Sequence, residues 1–311
     1  ALSTKIHPKK DSDLAKTINR LKAAPHQLLA QFPSDTPFFF SAAVTPGTLD
    51  KRFASLLQAS PIGWTLAVLS QGTIPEGPGA KLIQAAKKAL EDAGANAFTM
   101  AAHSAGAAAD LTLSAIMQAE NIKGVVAAEQ QLVDALGQND IAQHYAKLSG
   151  SQLKVSTAPF QIGGLKVTRW GTENENMDLL PPGLQGISTV YSLVHKNRQM
   201  MAYGTSSESV LNTHAANGYS GLGESATVKS LLERAGQTPI ALVYLSPLEI
   251  AKRAQLGGMN PVATTLADLD SGGGLSLIVT LEGGSIRAVL DTPTAMLKQG
   301  MTAFERLKGV F

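Results

Sequence analysis

One phrase occurs twice in this chain, and it constrains the fold more than any other feature. Thr36 to Phe53 reads TPFFFSAAVTPGTLDKRF, and Thr238 to Ala254 reads TPIALVYLSPLEIAKRA. Each opens with Thr-Pro and an apolar run, reaches a second proline, and arrives at Lys-Arg. Pro37 and Pro239 have no amide hydrogen, so they suit the first residue of a strand and stop a preceding helix from running on. Pro46 and Pro247 suit the first turn of a helix. Lys51-Arg52 and Lys252-Arg253 then fall on that helix, where snorkelling along its surface is the economical reading and a shared anion site the minor one.

The surrounding pattern also recurs. LLAQFPSDTP (Leu28 to Pro37) parallels LLERAGQTP (Leu231 to Pro239), and AFTMAAHSAGAAADLTLS matches GLSLIVTLEGGSIRAVLD as strand, small-residue turn, strand. The order helix, Thr-Pro strand, helix, hairpin, helix thus appears twice, which points to an internal duplication. The expected fold is α+β: antiparallel sheets built from hairpins, helices packed on one face, and two pseudo-symmetric repeats. Residues 1–12 are expected to be a flexible leader, 13–150 the first lobe, and 151–311 the second lobe, carrying the strand-rich meander 152–205.

Local signals support most elements. Ser12 or Asp13 caps a helix with Leu14, Ile18 and Leu21 along one face. AKLIQAAKKALEDAG is the clearest helix, with Gly94 at its C-cap. Gly163-Gly164 and Lys196-Asn197 each join two strands as hairpin turns. Thr205-Ser206-Ser207-Glu208 is a capping box opening a helix through His214. Further helices are expected at about 125–136, on to about Leu148, at 227–235 and at 293–307.

Composition excludes several classes. The chain has 311 residues, a formal net charge of +2 and no cysteine. There is no basic stripe interleaved with aromatics for nucleic acid, and no thiol chemistry, disulfide or cysteine-ligated metal. The six histidines stand singly, so no zinc spacing is present. No cofactor is implied. No run reaches the ~18–20 apolar residues of a membrane span, and ALSTKIHPKKDSD lacks the apolar core of a signal peptide. Membrane association is expected only through an anchor upstream of Ala1.

AHSAG and NGYSGLGES are the two stretches where a serine stands beside a histidine or glycines in a pattern suggestive of a nucleophile. His103 beside Ser104 on a strand points to the opposite face, so it does not activate that hydroxyl. Around Ser220 the nucleophile-elbow pattern finds Gly218 but has Leu222 where the second glycine belongs. The acidic run TENENMD is too sparse for a calcium loop and reads as an exposed loop. Trp64, Met177, Leu180, Met200 and Met201 are the candidate ligand- or partner-binding residues, as lining of an apolar groove or partner surface; core packing is the competing explanation.

LLAQFPSDTPFFFSAAV resembles the entry motif of a family of bacterial envelope proteins, often lipoproteins, whose mature domain begins with a PADTPYVFA-like run. QMMAYGTSSESVLNTHAANGYSGLGESATVKSLLERAGQTPIALVYLSPLEIAKRA is similar to their succession of strand, Ser-capped helix, Gly/Ser break, helix and strand. The resemblance implies a periplasmic or outer-membrane-associated location and an α+β fold, and carries over no catalytic residue. The functional expectation is a non-enzymatic extracytoplasmic protein that binds a lipid or other apolar ligand, or an envelope protein partner. The alternative is a serine-dependent envelope hydrolase using Ser104 or Ser220.

Overall fold

The structure is a computed structural model and describes residues 1–48, 76–104, 111–149, 152–173, 189–203, 206–216, 219–253 and 261–308. Its frame is one antiparallel sheet. The strands are β1 (Leu2–Ile6), β2 (Phe38–Ala43), β3 (Ala95–Ser104), β4 (Leu111–Ala119), β5 (Gln152–Ile162) and β6 (Leu165–Glu173), then β7 (Thr189–His195), β8 (Arg198–Tyr203), β9 (Ala241–Leu245), β10 (Leu275–Glu282) and β11 (Ser285–Asp291). All eleven join in the order β1-β11-β10-β9-β2-β3-β4-β8-β7-β6-β5.

That order corrects the expectation of separate sheets in two pseudo-symmetric repeats. The two Thr-Pro strands do not found separate lobes: β2 and β9 lie side by side, with Phe38 opposite Leu245 and Ala42 opposite Ala241. The meander continues the same sheet through the β4–β8 ladder, Leu113 opposite Tyr203. The expected boundary after residue 150 therefore separates chain segments that share one sheet. Residues 2–6, expected within a flexible leader, form the edge strand β1 on β11.

Helices cover both faces, a second correction. The α-helices among the described residues are α1 (Asp13–Arg20), α2 (Pro78–Asp92), α3 (Ile122–Leu136), α4 (Asn139–Ser149), α5 (Ser207–Ala216), α6 (Ala226–Ala235), α7 (Pro247–Arg253), α8 (Pro261–Leu266) and α9 (Thr294–Leu307). On one face α2, α3 and α4 bury Ile83, Leu90, Leu132 and Ile141 against Phe98, Met117, Trp170 and Met201. On the other, a 3-10 turn at Gln27–Gln31, α5 and α6 bury Leu28, Leu29, Val210 and Leu231 against Phe39, Ile116, Leu193 and Met200. Period-two alternation produces both contacts: Phe98 and Met100 face one layer, Ala97 and Ala101 the other. A sheet apolar on both sides needs two helical layers.

Local chemistry sets the element ends. Ser12 caps α1 by accepting from the Ala15 amide at 3.1 Å, and Ser225 caps α6 through the Val228 amide at 3.2 Å. Gly163-Gly164 and Gly283-Gly284 all have positive φ, which two-residue hairpins of this hand require. At Gly124, a Cβ would lie 3.2 Å from Ala93 Cα and from the Ala89 carbonyl oxygen. The bare glycine lets α3 close tightly on α2. Thr45 to Thr48 close a turn, and the helix expected to follow Pro46 lies outside the described residues. Pro247, its counterpart, does open α7.

Candidate functional site

Where β3 and β4 meet α5, two histidines converge on one serine. The His103 Nε2 lies 2.8 Å from Ser114 Oγ, and the His214 Nε2 lies 3.3 Å from the same oxygen. His103 Nδ1 is 3.3 Å from the Ser104 carbonyl oxygen. A donor at Nδ1 leaves Nε2 of His103 bare, so Ser114 donates to it and accepts from His214 Nε2–H. His214 Nδ1 is then an acceptor, and it has no partner. Phe32 and Tyr219 pack edge-on against both imidazoles, with Tyr219 4.8 Å from the His103 ring centre. Burial favours the neutral imidazoles: it holds His103 below the ordinary histidine range and, with neighbouring His103, takes His214 down to about 3.

A serine with a bare imidazole nitrogen at 2.8 Å has the elements of a nucleophile and base. Its setting works against that use. Ser114 and His103 are wholly buried, and Phe32 fills the space beside them. The arrangement joins strand to strand and sheet to α5 and satisfies the Ser114 hydroxyl and both Nε2 atoms, leaving only His214 Nδ1 of the three side chains without a partner. As the strand alternation required, His103 turns away from Ser104. Among the described residues neither the Ser104 hydroxyl nor the Ser220 hydroxyl has a histidine hydrogen-bonded to it; His103 meets Ser104 only at its backbone carbonyl.

A second polar island lies under α3 on the opposite face. Glu129 Oε2 accepts from Gln199 Nε2 at 2.7 Å, and Gln199 Nε2 also reaches Ser192 Oγ at 3.0 Å. Burial pushes the Glu129 carboxyl up to about 7, although Ser192, Gln199, Thr168 and the charge of Lys166 pull the other way. One carboxylate in an apolar layer is costly when ionised, so Glu129 holds its proton to higher pH than a solvated carboxyl and releases it around neutrality.

The remaining feature is on the surface. Helix α9 buries Ala303, while Leu297, Met301 and Phe304 are 53%, 72% and 63% exposed. Their i, i+4, i+7 spacing aligns them over about 10 Å of one helix face. They border a groove of about 550 Å³ completed by Pro247 and Leu248 of α7, Met296, Gly300 and Glu305. Lys308 Nζ sits 4.9 Å from the Phe304 ring centre and bonds Glu305 Oε1 at 2.6 Å, giving the groove a polar rim. No helix among the described residues is long and apolar enough to cross a membrane.

The expected binding residues are not brought together here. Trp64, Met177 and Leu180 lie outside the described residues. Met200 and Met201 point to opposite faces of β8 and are buried in different core layers. The basic pair of the second phrase is held by acids: Lys252 Nζ is 3.1 Å from Glu249, and Arg253 is 3.1 Å from Asp35. In the sequence α9 reads as an ordinary amphipathic helix, and that hides the groove. Its signal was an apolar arc, Met296, Leu297, Met301 and Phe304, wider than one buried stripe needs. Comparison of the chain with known protein families, with curated proteins and with solved structures finds no match.

Proposed function

We propose that this chain is a non-enzymatic, extracytoplasmic binding protein whose α7–α9 groove docks an apolar segment of a protein partner. The compartment comes from the envelope resemblance; the binding comes from the groove. The supporting observation is the stripe Leu297, Met301 and Phe304, exposed on a helix whose other side is seated on the protein. Folding gains nothing from three large apolar side chains in water, and a contiguous patch of this kind marks an interaction site.

The openness of the groove chooses between the two expected ligand classes. Small apolar ligands occupy clefts that bury about 70–90% of their surface. A groove whose Met301 and Phe304 stay 72% and 63% exposed cannot enclose one. A partner helix laying its own apolar face across α9 covers the stripe and meets the Glu305–Lys308 rim, which is the helix-in-groove mode.

The test is site-specific photocrosslinking in cells from position 301, with position 232 on α6 as the control; Leu232 is also exposed, outside the groove. A discrete protein adduct from 301, absent from 232 and lost in Phe304→Asp, is the expected result. A lipid adduct would transfer the reading to small apolar ligands, and equal labelling from both positions would end it.

A further inference from the structure

Leu2, Ile6 and Leu290 are exposed large apolar side chains at the β1 end of the sheet. Pairing puts all three on one face: Leu2 opposite Leu290 and Ile6 opposite Ile286, with Thr4 opposite Ala288 between them. The rows continue inward through β10, where Leu277 meets Leu290, Val279 meets Ala288 and Leu281 meets Ile286. Every residue of β1 is exposed. Its outer edge carries no partner strand among the described residues.

Edge strands of soluble proteins are normally blunted by an outward charge, a bulge or a proline. The charge on β1 does not serve that end. Lys5 reaches inward to Glu282 at 3.4 Å, and Glu282 also holds Arg287 at 3.0 Å. Arg287 in turn donates to Ser3 Oγ at 3.3 Å, and His7 Nδ1 meets Ser285 Oγ at 2.9 Å. The polar side chains of β1 thus fasten it to its own sheet and leave its outer backbone edge straight and accessible.

We infer that β1 is a self-association edge, which pairs antiparallel with β1 of a second copy about a two-fold axis through Thr4. The occupant is a second copy because the strand complements itself in that register. Leu2 then faces the partner copy's Ile6, Thr4 faces Thr4, and Ser3 faces Lys5, so no like charges are opposed. The apolar rows run on without a break, from Leu277 through Leu290 and Leu2 into the other copy. An isologous contact of this kind closes at two subunits. It uses a surface distinct from the α7–α9 groove and stands or falls separately from it.

The experiment is sedimentation equilibrium on the full chain at micromolar concentration, for wild type, Thr4→Lys, Thr4→Glu and an equimolar mixture of the two variants. Thr4 is exposed, so neither change disturbs the fold of one copy. Wild type is expected at twice the monomer mass. Each variant alone sets like charges face to face at the axis and is expected as a monomer; the mixture regains the dimer. Phe304→Asp, in the groove, leaves the dimer intact. A monomeric wild type, or variants that both dimerise on their own, would overturn the inference.

Discussion

At the scale of single residues, the buried titratable groups pull stability in opposite directions with pH. Glu129 has a folded-state pKa raised from 4.5 to about 7 by burial. The folded chain therefore keeps a proton that the unfolded chain has released, and this contribution is complete below 4.5 and lost as pH rises through about 7. His26, His103 and His214 are depressed by burial. They contribute stability that is complete above 6.5 and lost as pH falls, for His214 towards about 3. Above 6.5 the contribution of these three histidines is constant, and that of Glu129 is the one that falls. Glu129→Gln keeps an acceptor for Gln199 without the ionisation. Its stability relative to wild type, measured by urea unfolding at pH 5 and pH 8, is expected to grow by about 1–3 kcal/mol at the higher pH. An unchanged difference would mean that Glu129 is not protonated in the folded chain near neutrality.

At the scale of elements, α9 shows how one helix divides its residues between fold and surface. Ala303 is 7% exposed and packs with Leu248, Leu266 and Leu269, whereas Met301 and Phe304 face out. Met301→Asp and Phe304→Asp are expected to change thermal stability by less than ~0.5 kcal/mol. Ala303→Asp buries an unpaired carboxylate and is expected to cost about 2 kcal/mol or more. Calorimetry on the three variants separates the faces. Equal losses at all three positions would show that the stripe belongs to the core and has no docking role. Arg306 adds a local tie from α9 to Asp268 at 2.5 Å, fully at the surface and of small consequence for stability.

At the scale of the whole molecule, the β2–β9 ladder joins residues far apart in the chain at the centre of the sheet. Ser41 on β2 bonds Thr99 on β3 at 2.8 Å, and His26 bridges Ser41 at 2.8 Å to the Pro239 carbonyl at 3.0 Å. Neither segment on either side of residue 150 owns a complete sheet. Unfolding is expected as one cooperative transition, with the amides of β2, β3 and β9 exchanging last. A chain of residues 13–150 alone is expected not to fold, because it leaves β2 without β9 and β4 without β8. Two separated calorimetric transitions, or a folded 13–150 segment, would contradict this.

Local structure was legible in the residues themselves. Serines that cap α1 and α6, paired positive-φ glycines in hairpins and the strand alternation that turned His103 from Ser104 act within a few residues, and they are readable there. The repeated Thr-Pro phrase marked two strand starts correctly and misled about their arrangement, since a strand's sequence says which face is apolar and not which neighbour it takes. Ser114 with His103 and His214, Glu129 with Gln199, and the groove between α7 and α9 draw on residues remote in the chain. Only the tertiary structure decides such meetings. It decides also which apolar residues of α9 and β1 remain in water, because that depends on how far the rest of the protein extends to cover them.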